Sequence, residues 1–183
     1  KHKYKFWDTQ PVPSIDEDVY MDGKVLVDKN TVVSELQSNL PEGLAWSTID
    51  LENEDQIKEL VVFLGNNYIE DDTSTFSVMF TKNLLLHILQ RPDPSGSQAG
   101  IYVAIKDNDN NLIGFIYGML VDIRLNGNEL KSSEISLLCV DKAYRVSGLA
   151  PLLIKEATRL INQKGVYTSI YTGERYLPKP ISK

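Results

Sequence analysis

Arg145-Val146-Ser147-Gly148-Leu149-Ala150 places an arginine, a glycine and a small residue where a strand gives way to a helix. An Arg-x-x-Gly-x-Ala turn there lines up successive backbone N–H groups at a helix N-terminus, whose partial positive charge suits a pyrophosphate. A tight strand-to-helix turn with a glycine for steric reasons has the same spacing, and spacing alone leaves both open. The stretch just before it, Ser136-Leu137-Leu138-Cys139-Val140, runs straight into that turn. A kinked strand end exposes two amide N–H groups to a developing oxyanion, which stabilises acyl-transfer transition states. An ordinary core strand is the competing reading.

Other reactive groups carry less. Cys139 is the single cysteine, and the two histidines, His2 and His87, are not placed by sequence as its base, so it reads as a buried structural thiol rather than a nucleophile. Asp107-Asn108-Asp109-Asn110-Asn111 opens like a calcium loop, but Leu112 stands where glycine is needed and Gly118 where glutamate is needed, which rejects calcium. Glu70-Asp71-Asp72 is a compact acidic run. It reads equally as a solvated loop or as a docking point for a basic ligand.

These groups need a scaffold, and the apolar pattern supplies one. Asn53 with Gln56 three residues on forms a capping box, followed by Ile57, Leu60, Val61, Leu64 and Tyr68 at helical spacing. A second short helix is expected after Thr81, through Leu84, Leu85, Ile88 and Leu89. Three strands follow, at 101–106, 112–125 and 129–140, joined by turns rich in Asn, Asp and Gly, as an antiparallel meander. After the turn 141–148 comes a helix with Leu149, Leu152, Leu153, Ala157, Leu160 and Ile161 on one face, ended by Gly165. Val166 to Thr172 reads as a strand returning parallel to its predecessor, with an open edge beyond it. Residues 1–45 lack periodicity and read as an extended arm; 46–183 read as the domain, a fragment of a longer protein.

Composition narrows the classes. The chain has 183 residues, 19 Lys+Arg against 25 Asp+Glu and a net charge of −6, which argues against a phosphate backbone as its main partner. The longest unbroken apolar run, Leu60-Val61-Val62-Phe63-Leu64, is far shorter than the ~20 residues of a membrane-crossing helix. One cysteine, no Asn-x-Ser/Thr acceptor and no signal peptide at the start of the chain point to a reducing, cytoplasmic location.

Five segments together resemble the eukaryotic N-myristoyltransferase family, specifically its N-terminal half. They are Lys5-Phe6-Trp7-Asp8-Thr9-Gln10-Pro11-Val12-Pro13; Asn67-Tyr68-Ile69-Glu70-Asp71-Asp72; Gly114-Phe115-Ile116; Glu134 to Val140 running on to Leu149-Ala150-Pro151; and Tyr171-Thr172-Gly173 with Leu177-Pro178-Lys179-Pro180. The resemblance implies an α+β, GNAT-like acyl-CoA N-acyltransferase fold: a mixed, mostly antiparallel sheet flanked by helices, with the second half of the protein incomplete. It implies myristoyl transfer from myristoyl-CoA to the N-terminal glycine amine of proteins, without a metal, this chain being the acyl-CoA-binding half and inactive as an isolated piece. A GNAT acetyltransferase using acetyl-CoA and a non-catalytic acyl-CoA-binding relative are the alternatives.

Position by position, the resemblance implies that Lys5, Phe6 and Trp7 line the CoA site from the arm. Leu137 and Leu138 offer the backbone N–H pair that polarises the thioester carbonyl, Cys139 and Val140 continue that wall, and Arg145, Val146, Ser147, Gly148, Leu149 and Ala150 hold the CoA phosphates. Thr172 lies near the incoming amine, while Glu70, Asp71, Asp72, Phe76 and Phe80 belong to the peptide side. The partners implied are glycine-initiated peptides and proteins, acyl-CoA and the missing C-terminal half, which carries the catalytic base. The chain departs from the family in having Ser136-Leu137-Leu138 for Asn-Phe-Leu, and Arg145-Val146-Ser147-Gly148 for Arg-Ser-Lys-Arg, which removes two cations from the phosphate turn. Phe76-Ser77-Val78-Met79-Phe80 replaces an aromatic peptide-channel pattern.

Overall fold

The computed structural model describes Asp18 and residues 33–69, 78–91 and 100–172. The chain divides into two compact units, one of residues 1–32 with 172–183 and the other Val33–Tyr171. Every described helix and strand lies in the second: β1 (Leu44–Ser47), α1 (Glu54–Asn67), α2 (Lys82–Leu89), β2 (Gly100–Asp107), β3 (Leu112–Leu125), β4 (Asn128–Val140), α3 (Leu149–Gln163) and β5 (Ser169–Tyr171). The five strands form one sheet in sequence order, antiparallel from β1 to β4 and parallel between β4 and β5. None of the described helices is long and apolar enough to cross a membrane.

Local chemistry explains most boundaries. Asn53 caps α1, its side chain accepting from the N–H groups of Asp55 and Gln56. The box predicted there is made on one side only, because the Gln56 amide oxygen accepts from the Asp50 N–H instead. Thr81 caps α2 through the Leu84 N–H. At the other end of α2 the carbonyls of Ile88 and Leu89 accept from the hydroxyls of Tyr117 and Tyr102, two stacked rings 5.5 Å apart. These are the carbonyls a helix leaves without partners, and the sheet supplies them. Asn126 and Gly127, both at positive φ, form the two-residue turn between β3 and β4, where such a pair matches the strand twist. In the β2–β3 loop the Asp107 carboxylate accepts from the N–H groups of Asp109 and Asn111, which shapes the turn.

β1 is a strand that no periodicity announces: Leu44 pairs with Asp107 and Ser47 with Ala104, on sequence that reads as the end of an arm. The last strand is shorter than its apolar residues suggest. Gly165, at φ +75, turns the chain so that the Val166 N–H meets the Ile161 carbonyl, and Val166 is buried with Ile161 under α3 before β5 begins.

Two cores result, one on each face of the sheet. On one face Ile57, Leu60, Leu64, Leu85 and Leu89 of α1 and α2 pack on Phe115, Tyr117 and Cys139. On the other, Leu149, Leu153, Ala157 and Ile161 of α3 pack on Val103, Ile105, Ile116 and Val140. α3 comes close enough that a Cβ at Gly118 would lie 3.2 Å from the Ile135 side chain and 3.4 Å from that of Ile161. Gly118→Leu is therefore expected to destabilise the fold by about 1–3 kcal/mol through overpacking, and Gly118→Ala by much less, as equilibrium denaturation would read. An equal cost for both would show that the gap between α3 and β3 is not what limits this position.

Candidate functional site

The long β3–β4 ladder carries one irregularity, and it falls on residues singled out from the sequence. Cys139 pairs with Phe115 and Ser136 with Tyr117, so Leu137 and Leu138 together oppose Ile116 alone. This is a β-bulge, and Leu137 takes it up at φ +54. A left-handed backbone costs a bulky residue about 1–2 kcal/mol, the kind of local strain that surrounding packing must hold in place. Leu137 is buried among α1, α2 and sheet side chains, which anchors the bulge; Leu138 is more than a third exposed.

Leu137 and Leu138 have no register partner on β3. On the other side, among the described residues, the pairing of β4 with β5 ends at Ile135 opposite Tyr171, short of the bulge. Two adjacent N–H groups at such a break in a ladder are the kind of elements from which an oxyanion hole is built. Leu137, Cys139 and Val140 are core, as an ordinary strand would have them, and the bulge breaks the regular ladder between them. Cys139 itself is buried, as expected of a structural thiol.

The chain then turns through a single 3-10 turn at Lys142–Tyr144 into α3. Gly148 caps that helix at φ +76, and no side chain bonds to the cap. Pro151 has no N–H, so Gly148, Leu149 and Ala150 present the first amides of the helix without intrahelical acceptors, and no acidic residue stands in its first turn. These amides and the helix dipole make an anion-binding end. The Ser147 hydroxyl and N–H both donate to the Tyr144 carbonyl, which shapes the turn, and Val146 stands almost fully exposed. Arg145 is committed elsewhere. Its guanidinium donates to the backbone carbonyls of Asn67 and, at 3.5 Å, Val140. These bonds tie the turn to the end of α1 and to the end of β4, a link that spacing did not reveal.

The remaining predicted residues separate. Phe80 is buried, its ring 5.7 Å from that of Tyr68, within the α1–α2 core. Thr172 belongs to the other compact unit and is exposed. Lys5, Phe6, Trp7, Glu70, Asp71, Asp72 and Phe76 lie outside the described residues. Residues that pattern reading missed include Asn67, buried at the end of α1, and the cluster around Glu156 on α3. Glu156 is 1% exposed and accepts two hydrogen bonds from Arg159 and one from Gln37, while Arg159 also donates to the carbonyls of Ser34 and Glu35. A glutamate on a helix ordinarily signals solvent, so nothing in the periodicity marks this one.

Comparison with known proteins bears on this geometry. The family model of the N-terminal domain of myristoyl-CoA:protein N-myristoyltransferase matches residues 26–183. Glycylpeptide N-tetradecanoyltransferase 2 of Danio rerio is 39% identical over 183 residues, covering 100% of this chain and 36% of that protein. The Plasmodium falciparum glycylpeptide N-tetradecanoyltransferase is 38% identical over 189 residues, covering 100% of this chain and 45% of its own length. The chain thus spans less than half of these relatives. Saccharomyces cerevisiae N-myristoyltransferase, solved with bound myristoyl-CoA, superposes with a TM-score of 0.84 at 32% identity over 96% of this chain and 40% of that one. Glucosamine-6-phosphate N-acetyltransferase from Arabidopsis thaliana, at 14% identity and a TM-score of 0.52 over 73% of this chain and 84% of that one, shares the fold alone.

Proposed function

The chain belongs to the myristoyl-CoA:protein N-myristoyltransferase family, matching its N-terminal domain, and on that premise we propose that it is the acyl-CoA-binding half of an enzyme that moves a myristoyl group from CoA to the α-amine of an N-terminal glycine. The bulge at Leu137 and Leu138, set directly before an uncapped helix N-terminus, is the observation that carries this reading.

The reaction is a direct displacement. The amine nitrogen attacks the thioester carbon, the carbonyl oxygen becomes an oxyanion held by the N–H groups of Leu137 and Leu138, and the C–S bond breaks to release CoA. The ammonium loses its proton to a base in the part of the protein outside this chain. At the other end of the donor, the amides of Gly148, Leu149 and Ala150 receive the CoA phosphates, with Val146 and Ser147 shaping the turn. The exposed Val146 stands where the family carries a cation-bearing stretch, so phosphate binding here leans on backbone N–H groups. Cys139 and Val140 continue the wall, and the family resemblance assigns Lys5, Phe6 and Trp7 to the CoA ligand and Thr172 to the incoming amine. Glu70, Asp71, Asp72 and Phe76 favour basic residues downstream of the acceptor glycine, with Phe80 supporting that segment from the core. The enzyme works in the cytoplasm on glycine-initiated proteins.

Isothermal titration with a non-hydrolysable myristoyl-CoA analogue, acetyl-CoA and CoA tests the donor. Tight binding of the myristoyl ligand, with acetyl-CoA and CoA far weaker, is expected. Equal binding of acetyl-CoA would instead favour a small-acyl GNAT enzyme.

A further inference from the structure

Asn67 joins parts of the fold that are remote in sequence. It is the last residue of α1 and 8% exposed. Its amide nitrogen donates to the Phe63 carbonyl at 3.0 Å, which fixes the side chain against its own helix. Its amide oxygen accepts from the Lys142 N–H at 3.0 Å, the first residue of the turn after β4. Its backbone carbonyl accepts from Arg145, whose guanidinium reaches back to Val140 as well. One residue of α1 thus grips the segment that leads from the bulge to the head of α3 at two points, the start of the 3-10 turn at Lys142 and the residue just after it, Arg145. Within that segment, Asp141 bonds to Ala143 through its side chain and to Tyr144 through its carbonyl, and its own N–H donates to the Ile113 carbonyl of β3, which ties the start of the segment to the sheet.

We propose that Asn67 and Arg145 are positioning residues for the phosphate-binding turn, acting as a strut that sets the amides of Gly148 to Ala150 relative to the bulge. This rests on the reading of that turn as the phosphate end of an acyl-CoA site. Arg145 then works through backbone carbonyls and not as a counter-ion, and Asn67, too buried to reach the ligand, works wholly through the turn. The guanidinium matters for its fork: a lysine keeps the charge but cannot span two carbonyls.

The test uses the full-length protein and two non-hydrolysable ligands, a myristoyl-CoA analogue and its myristoyl-pantetheine counterpart, which lacks the phosphates. Asn67→Ala and Arg145→Lys are each expected to weaken the CoA ligand about tenfold, the equivalent of about 1.4 kcal/mol, while the pantetheine ligand shifts less than twofold. Arg145→Lys alters an exposed side chain and tests the strut even if Asn67→Ala folds poorly. Equal weakening of both ligands, or wild-type affinity in Arg145→Lys, overturns the proposal while leaving the acyl-CoA reading intact. Failure of the unaltered protein to bind the CoA ligand overturns that reading and the proposal with it.

Discussion

Replacing Leu138 by its α-hydroxy analogue, which exchanges the backbone N–H for an ester oxygen, is expected to lower kcat of the full-length enzyme by about 10²–10³-fold, the usual effect of removing one oxyanion donor. The side chain is unchanged, so packing around the bulge is retained. Leu138 has no register partner on β3, so a smaller loss of stability is expected here than for the same exchange at a regularly paired position. The ground-state thioester carbonyl draws less on this donor than the charged intermediate does, so affinity for the acyl-CoA analogue should shift by far less than kcat. Single-turnover kinetics beside titration would read both quantities. Parallel losses in kcat and affinity would mean that the bulge binds the donor without stabilising the transition state. The same exchange at Ser133, inside the ladder and paired with Leu120, supplies the contrast: stability falls and chemistry does not.

The second large effect concerns stability. Arg159→Met removes the partner of a carboxylate that is 1% exposed, and it is expected to destabilise the fold by about 3–5 kcal/mol, since an uncompensated buried charge remains. The pH dependence gives the mechanism away. Burial works to raise the Glu156 pKa, but hydrogen bonds from Arg159 and Gln37 and the Arg159 charge overcome it and hold the carboxyl below its ordinary value of 4.5. In the native protein this stabilisation is fully present above pH 4.5 and disappears as pH falls through the depressed value. Without Arg159 burial dominates and the carboxyl rises above 4.5, so the variant should gain stability as pH is lowered from 7 towards 5, where the native protein gains nothing from this group. Thermal melts at the two pH values decide it. Parallel curves would show that Glu156 finds another partner.

How much of this could be read beforehand depends on what kind of physics holds each part. The meander and α3 were legible because burial on both faces of a sheet imposes period and length, and Asn126-Gly127 marks its own turn. α1 and α2 were legible from their caps. β1 was not, because four residues with mixed exposure carry too little pattern. At the site, the order of strand end, turn and helix was visible, and so was the expectation of two amides at Leu137 and Leu138. The bulge geometry was not: leucine has no preference for the left-handed backbone that it adopts at 137. Arg145 was read as part of the phosphate turn, and its hydrogen bond across to Asn67 on α1 was not legible, because spacing does not encode a long-range pairing.

The bulge also governs what changes of length β4 can accept. On β4, Glu134 and Ser136 lie opposite Met119 and Tyr117, on the α1–α2 side; after the extra residue, Cys139 again lies opposite Phe115 on that side, and Val140 opposite Gly114 on the side of α3. Deleting one residue between Ser136 and Leu138 would leave a single residue opposite Ile116, with Cys139 still opposite Phe115 and Val140 still opposite Gly114, and would return the ladder to strict alternation. Both cores would keep their side chains, and the bulge itself would be lost. Exchanging side chains at these positions, as Ser136-Leu137-Leu138 does against the family pattern, leaves the count untouched. What this strand cannot vary without losing the bulge is its number of residues: a deletion here closes the ladder into a regular strand, while a substitution is only a change of lining.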